Sequence, residues 1–369
     1  DRLTVTYGLR YDYYETDDEP NLNPAFLASY GFGNNDTLDG RDLLQPRFGA
    51  TYDFSDQLSF RGGIGLFSGG NPNVWLSNTY SNTNTTAVQA RIDGMDLFAQ
   101  NYVNCEEGVP VCGPGYGVPQ EIADVVAAGD GSNFEIVYLD PDFDIPSEWK
   151  YTAGLTWYAP MDVTVTADVQ VSRGEDTAVY KRGDLERTGT NDLGYPIYES
   201  VREPSFVLTN SSKGTESESI AFSAFKSWDN GLDLRLGYAY TEAKDPNPMT
   251  SSVAFSNYAN RAFFDPQADE LAPSNWAIEH RFTAVLNYGV DFFGGYETRI
   301  SLFGQYNSGI PYSITLSGSE GTADAYGFQP FLDFEQNVLP VGGSRNSQEG
   351  DSFSKIDLRI SQEVPGFAP

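Results

Sequence analysis

Ten segments of the chain alternate apolar and polar residues with the two-residue period of a β-strand, and this pattern constrains the fold more than any other feature. In residues 47–67 every second position is apolar or small, with a break at Ser55-Asp56, and the positions between carry arginine, aspartate, threonine, serine and glycine. Such a segment is a β-hairpin with one apolar and one polar face. The ten segments are residues 3–15, 47–54, 58–66, 149–159, 161–171, 216–228, 232–240, 280–290, 296–306 and 353–363.

The connections between these segments are alternately short and long. The short turns lie at residues 55–56, 160, 229–230 and 291–295, and the long connections at 16–45, 68–147, 174–214, 243–277 and 309–352. Compact soluble domains usually have connections of about four to six residues. Tight periplasmic turns and long outer loops are typical of a membrane barrel, whose apolar face contacts lipid and whose polar face lines an aqueous interior. We therefore predict an all-β fold, with residues 1–369 forming an antiparallel transmembrane β-barrel domain of about ten strands and long extracellular loops.

Aromatic and basic residues agree with this prediction. Tyrosine and tryptophan lie near the strand ends, as in the aromatic belts of membrane interfaces. Arginines recur on the polar faces, at positions 10, 47, 61, 235, 281, 299 and 359. Alternation by itself fits two other folds: a secreted β-sandwich that serves as an adhesion or carbohydrate-binding module, and a self-contained ten-stranded outer-membrane barrel that is an enzyme or a pore.

The charge balance excludes one class of partner. The chain has 52 acidic and 22 basic residues, which gives a formal net charge of -30. Nucleic-acid binding needs a basic footprint that this composition lacks. The two cysteines, Cys105 and Cys112, lie close together in a polar stretch rich in glycine and proline, and we predict that they form a disulfide in an oxidising compartment.

Catalytic motifs are weak in this sequence. The single histidine, His280, begins a strand, and neither a second histidine nor a GxSxG motif accompanies it. The glycines of residues 62–70 lie within a strand and not between a strand and a helix, so they do not form a dinucleotide loop. We predict that the protein is not an enzyme and needs no organic cofactor.

Two groups of residues are candidates for binding. Asp140, Asp142 and Asp144 precede a strand, and their oxygen ligands at this spacing suit Ca²⁺, although the full EF-hand pattern is absent. The alternative is a solvated acidic loop. In the long connection 68–147, aromatic rings on an asparagine-rich background suit sugars or peptides, or they pack within the loop. These ligand-contact candidates are Trp75, Tyr80, Tyr102 and Tyr116.

Four stretches resemble the Oar-like branch of the TonB-dependent receptors of Gram-negative outer membranes. They are LQPRFGATYDFSDQLSFRGGIGLFSGGNPNVWLSN, LDPDFDIPSEWKYTAGLTWY, NWAIEHRFTAVLNY and GDSFSKIDLRISQEVPGF. The resemblance implies a 22-stranded barrel, of which this chain is a central-to-late portion, with loops that capture a large or scarce solute for energised uptake.

The same resemblance implies partners outside this sequence. They are outer-membrane lipid, a plug domain, the remaining barrel strands and the TonB energy-coupling complex. This chain has neither the plug nor the TonB box of the family, and we expect its open sheet edges to pair with missing sequence or with another chain.

Overall fold

A computed structural model describes residues 2–69, 72–85, 94–105, 112–114, 116–128, 135–190, 196–315 and 344–364. The strands are β1 (Leu3–Tyr13), β2 (Asp42–Ser55), β3 (Leu58–Ser68), β4 (Tyr102–Val103), β5 (Val118–Pro119), β6 (Ile136–Leu139), β7 (Ser147–Ala159), β8 (Val163–Glu175), β9 (Ala178–Arg182), β10 (Leu185–Thr190), β11 (Pro196–Ser200), β12 (Ser205–Asn210), β13 (Glu216–Ser227), β14 (Leu232–Asp245), β15 (Ala272–Pro273), β16 (His280–Asp291), β17 (Glu297–Asn307), β18 (Pro311–Tyr312), β19 (Gln348–Glu349) and β20 (Phe353–Gln362). The helices are α1 (Pro24–Tyr30), α2 (Asn73–Ser81), α3 (Gln120–Ala128) and α4 (Ala254–Ala259), with a 3-10 turn at Pro160–Asp162.

Ten long strands form one antiparallel sheet, which we call the wall. Their order is β1-β2-β3-β7-β8-β13-β14-β16-β17-β20, so each wall strand pairs with the next along the chain, and β15 adds a short pairing to β14. This confirms the all-β fold and the ten predicted strands. Strand β2 begins at Asp42, inside the predicted loop, because the ladder with β1 continues up to the pair of Tyr13 with Asp42.

Among the described residues, none covers the apolar face of the wall. Phe222, Leu236 and Phe282 lie on three neighbouring strands and are 50%, 46% and 49% exposed. Register connects them: Phe222 pairs with Tyr238, two residues from Leu236, and Tyr238 pairs with Phe282. A continuous apolar surface of this kind needs an apolar environment. In the part of the chain that the structure describes, no helix has the length and apolar character needed to cross a bilayer.

The polar face carries ion pairs between residues two positions apart, whose side chains point to the same side of a strand. The N–O distances are 2.7 Å for Arg10–Asp12, 3.0 Å for Lys150–Glu148, 3.0 Å for Arg299–Glu297 and 2.8 Å for Lys355–Asp357. One further pair crosses a strand. Arg61 of β3 bonds to Asp168 of β8 over Gly154 of β7, which pairs with both residues in the ladders.

The long connections contain secondary structure and a core of their own, which the absence of periodicity in the sequence did not indicate. Strand β12 pairs in parallel with β6 and antiparallel with β9, forming a three-stranded sheet. The core formed by this sheet and its neighbours contains fully or almost fully buried apolar residues, including Leu139, Phe143, Tyr180, Leu208 and Phe263. Tyr14 and Leu43, next to or within β1 and β2, pack against this core, so the connections fold over the polar side of the wall.

Local sequence signals explain the first helix of the connections. Asn23 caps α1, since its Oδ1 accepts hydrogen bonds from the backbone N–H groups of Ala25 (2.9 Å) and Phe26 (3.1 Å). Pro24 occupies the first helical position, and Gly31 ends the helix in the left-handed conformation with φ of 80°. The helix thereby buries Phe26 completely against Ile136, Tyr138 and Val207.

A buried ion pair joins the elements of the connections. Arg182, at the end of β9, donates from Nε to Oδ1 of Asp184 (2.7 Å) and from a terminal nitrogen to Oδ2 (2.9 Å). Asp184 also accepts a hydrogen bond from the Ser200 hydroxyl (2.7 Å), and Arg182 bonds to Glu135 at 3.0 Å. Both members of the pair are almost fully buried, so removal of the Asp184 charge leaves the Arg182 guanidinium with the more exposed Glu135 as its acidic partner.

We predict that Asp184→Asn weakens the sheet of the connections by about 3–5 kcal/mol, the usual result of breaking a buried pair. The matched control is Glu186→Gln, because Glu186 forms an exposed pair with Arg202 at 3.1 Å, and exposed pairs contribute about 1 kcal/mol or less. Limited proteolysis of the folded protein measures the difference. Equal cleavage rates in the connections of both variants contradict the prediction.

We also predict that Gly154→Val destabilises the wall. A Cβ atom at this position would collide with the Asp168 carboxylate and lie 3.0 Å from Cζ of Arg61, so it displaces the ion pair. The pair is partly exposed, so its loss costs about 1 kcal/mol or less. Gly8→Val is the control, since Gly8 also lies in a wall strand and a Cβ there meets nothing within 4 Å. Heat-dependent unfolding in detergent, followed by gel mobility, should show a lower transition temperature for Gly154→Val only.

Candidate functional site

A cavity of about 410 Å³ lies where the polar face of the wall meets the connections. We call it the mouth cavity. Its lining includes Phe67, Glu148 and Lys150 from the wall and Trp75, Ala178 and Met249 from the connections.

Register places the wall residues of the mouth cavity side by side. Phe67 pairs with Glu148, and Gly65, two residues earlier on β3, pairs with Lys150. The Lys150 ammonium bonds to the Glu148 carboxylate at 3.0 Å. The guanidinium of Arg47 lies 4.3 Å from the centre of the Phe67 ring, and the Lys150 Nζ lies 5.9 Å from it. An aromatic ring on the polar face is thus surrounded by cations, a favourable cation–π arrangement.

Trp75 comes from α2 and is held at both its side chain and its backbone. Its indole N–H donates to the carbonyl of Ser251 at 3.0 Å, and its carbonyl accepts a hydrogen bond from the Tyr180 hydroxyl at 2.7 Å. The indole ring also packs against the core of the connections. It is therefore a fixed surface of the cavity.

A long-range ion pair anchors the adjacent end of β14. Asp245, which lines the mouth cavity, accepts hydrogen bonds from Arg345 at its side chain (2.7 Å) and at its backbone carbonyl (2.6 Å). Both residues are largely buried. The pair ties the connection after β18 to the top of the wall and fixes this edge of the cavity.

The mouth cavity has the chemistry of a binding site for a polar organic molecule with apolar surfaces. Phe67 and Trp75 offer rigid faces for stacking. Lys150 and Glu148 offer a donor and an acceptor side by side, and Ser68, Ser147 and Thr177 add hydroxyl groups around them. Polar side chains and apolar surface are thus mixed in this lining, and convergent polar groups orient a bound small molecule.

Of the four aromatic candidates from the sequence, the structure places Trp75 in this cavity. The hydroxyl of Tyr80 donates to the carbonyl of Asp18 at 2.9 Å, and that of Tyr102 to the carbonyl of Leu97 at 2.6 Å. Tyr116 is 52% exposed and, like Tyr80 and Tyr102, is not part of the cavity lining. Ligand contact by these residues stays a prediction.

Sequence reasoning missed the wall residues of the mouth cavity. Phe67 was detectable, because it is an aromatic residue at a position where the alternation of β3 places polar side chains. Lys150 and Glu148 gave no such signal, since charged residues are ordinary on a polar face.

The predicted disulfide is present. Cys105 and Cys112 are joined, with their Cα atoms 5.6 Å apart. Gly117 lies against it, and a Cβ there would be 2.8 Å from Sγ of Cys112. The loop residues between the cysteines lie outside the described residues.

We predict that this disulfide makes both cysteines inert to alkylation in the folded protein. Intact-mass measurement after treatment with iodoacetamide should show no adduct before reduction and two adducts after reduction and unfolding. One or more adducts on the unreduced protein would contradict the assignment of the bond.

Among the aspartates predicted for calcium, Asp140 has a carboxylate that accepts hydrogen bonds within the connections. Asp140 accepts from the Thr209 hydroxyl at 2.5 Å and from the backbone N–H of Asp142 at 3.0 Å. Burial of the Asp176 carboxyl, with Asp144 and Glu175 nearby, raises the pKa of Asp176. Among the described residues, no three His, Cys, Asp or Glu side chains are grouped so that they could hold a metal ion. Calcium binding stays a prediction.

His280 lies at the start of β16, on the apolar side of the wall. Its Nδ1 is 3.0 Å from the hydroxyl of Tyr238, and its Nε2 is 3.6 Å from the Glu279 carboxylate. His280 therefore lies at the rim of the wall, where β16 begins.

A family profile described as "outer membrane beta barrel domain" matches residues 1–355 of this sequence. The chain belongs to this family. It is therefore a barrel protein of the Gram-negative outer membrane, and the alternative of a secreted β-sandwich is wrong.

Solved structures resemble this outer-membrane barrel chain in fold. The outer membrane transporter YddB from Escherichia coli matches with a TM-score of 0.51 and 12% identity, over 97% of this chain and 36% of that one. The FrpB iron transporter from Neisseria meningitidis matches with a TM-score of 0.47 and 12% identity, over 97% and 36% of the two chains. The siderophore receptor PirA from Acinetobacter baumannii matches with a TM-score of 0.46 and 10% identity, over 98% and 37%. Comparison with curated protein sequences gives no match.

Proposed function

We propose that this chain forms part of the wall and the outer connections of a TonB-dependent outer-membrane transporter, and that it binds a large or scarce solute at the mouth cavity. The position of the cavity is the observation that supports this proposal. One side of it is the polar face that lines the interior, and the other is the set of connections on the outer side. A solute bound there contacts both the receptor surface and the path inward.

The cavity favours an oligosaccharide or a peptide as the solute. Both have apolar patches that stack on rings such as Phe67 and Trp75, and both have groups that hydrogen-bond to Lys150 and Glu148. Neither class needs a catalytic residue, in agreement with the proposal that the protein is not an enzyme.

The proposed transporter also needs further strands, a plug domain and the TonB complex. Among the pairings of the described residues, none joins β1 to β20. Each backbone group left unpaired in hydrocarbon costs several kcal/mol. Pairing of both edge strands with further strands removes that cost, and the share of YddB that this chain covers leaves room for them.

The experiment compares cells that express the full-length protein with isogenic cells that lack it. Uptake of a labelled panel of oligosaccharides and short peptides is measured before and after depletion of TonB. Uptake of at least one solute that requires both the protein and TonB supports the proposal. Uptake independent of TonB, or no difference across the panel, contradicts it.

We predict that Trp75→Ala lowers the affinity for the transported solute about tenfold, since one lost aromatic contact is worth about 1 kcal/mol or slightly more. The control is Phe98→Ala, at a ring that is 91% exposed and does not line the mouth cavity. Concentration-dependent uptake at equal surface expression measures both variants. If both variants have the same affinity for the solute, the solute does not bind at the mouth cavity.

A further inference from the structure

A second cavity lies on the opposite, apolar side of the wall. It is a groove of about 670 Å³ that crosses β13, β14, β16, β17 and β20. Phe222, Tyr238, Phe282 and Tyr306 form one border, along consecutive ladder pairs. The groove is thus part of the face that contacts hydrocarbon, and it is deeper than the surface around it.

Side-chain size explains the depth of the groove. In the next row of the ladder, Ala224 pairs with Leu236, Leu236 with Ala284, and Ala284 with Gly304. A Cβ at Gly304 would meet nothing within 4 Å, so open space lies over this position. The Leu286–Leu302 pair follows in the row beyond, outside the groove lining.

A polar cavity lies next along β14, toward the end of the wall where this strand enters its long connection. Tyr238 borders the groove, and Tyr240, the next residue on the same face of β14, lines a cavity of about 350 Å³. We call it the rim cavity. Glu242 and Lys244, further along this face, also line it and form an ion pair at 2.5 Å.

The charges of the rim cavity favour hydroxyl groups over phosphate. Its lining includes the carboxylates of Glu242, Glu279 and Glu349 but a single lysine, which is already paired. Carboxylates accept hydrogen bonds from hydroxyl groups and repel phosphate. Trp276, beside the lining residue Ala277, is 76% exposed and offers a ring of the kind found at membrane interfaces.

We propose that one glycolipid of the outer leaflet binds at this place, with an acyl chain in the groove and a hydroxyl-rich headgroup in the rim cavity. The groove supplies apolar contact on the lipid-facing side of the wall, and the rim cavity supplies hydrogen-bond acceptors two residues further along β14. This site depends on the outer-membrane location of the protein and not on the proposed transport of a solute.

The test uses the full-length protein extracted from outer membranes in mild detergent. Native mass spectrometry counts the lipids that remain bound, and fragmentation of the released lipids identifies them. Gly304→Leu fills the groove without a backbone clash, and the lost contact with about two methylene groups should lower lipid affinity about tenfold. The control is Ala153→Leu, on the apolar side of β7 and outside the groove lining.

The expected result is one glycolipid on the wild-type protein and on Ala153→Leu, and little or none on Gly304→Leu. A second variant, Glu242→Gln with Lys244→Gln, should leave acyl-chain binding intact but reduce the preference for glycolipid over phospholipid. Equal retention in all variants, retention of phospholipid alone by the wild type, or a protein in place of lipid would overturn the proposal.

Discussion

The apolar face of the wall, which is left exposed by the part of the chain that the structure describes, is the constraint on which the rest of the structure depends. This face is stable only against hydrocarbon, and hydrocarbon offers no hydrogen-bond partners to a backbone. The strands must therefore satisfy their N–H and C=O groups with one another, and the wall has an unbroken ladder from β1 to β20. The polar residues at the alternate positions therefore face the other side of the wall, which is the aqueous interior.

Each wall strand presents different chemical groups on its two faces. On β14, Tyr238, Tyr240 and Glu242 lie on the outer face, where they border the groove and the rim cavity. On β3 and β7 the polar face carries Phe67 and Lys150, at the mouth cavity. A shift of one residue in the register of a strand would exchange these roles, so register determines function as well as stability.

The connections bury their apolar residues in a different way from the wall. They lie in water, so they must bury their own apolar residues, and they do so around the three-stranded sheet of β6, β12 and β9. The buried pair of Arg182 and Asp184 costs desolvation, which multiple hydrogen bonds offset. The result is an ordered cap that holds Trp75 over the polar face, and thus a mouth cavity with fixed sides.

The sequence by itself determined the wall: its strands, the sides of its faces, its short turns and the disulfide. These features depend on neighbours two residues apart or on cysteines seven residues apart, so local pattern is enough to predict them. Only the tertiary structure decided which residues of the connections meet. Asp245 and Arg345 are separated by 100 residues, and Trp75 reaches Ser251 across 176. Such contacts have no period in the sequence, because they arise from the packing of segments that the chain brings together only after the wall has placed their ends.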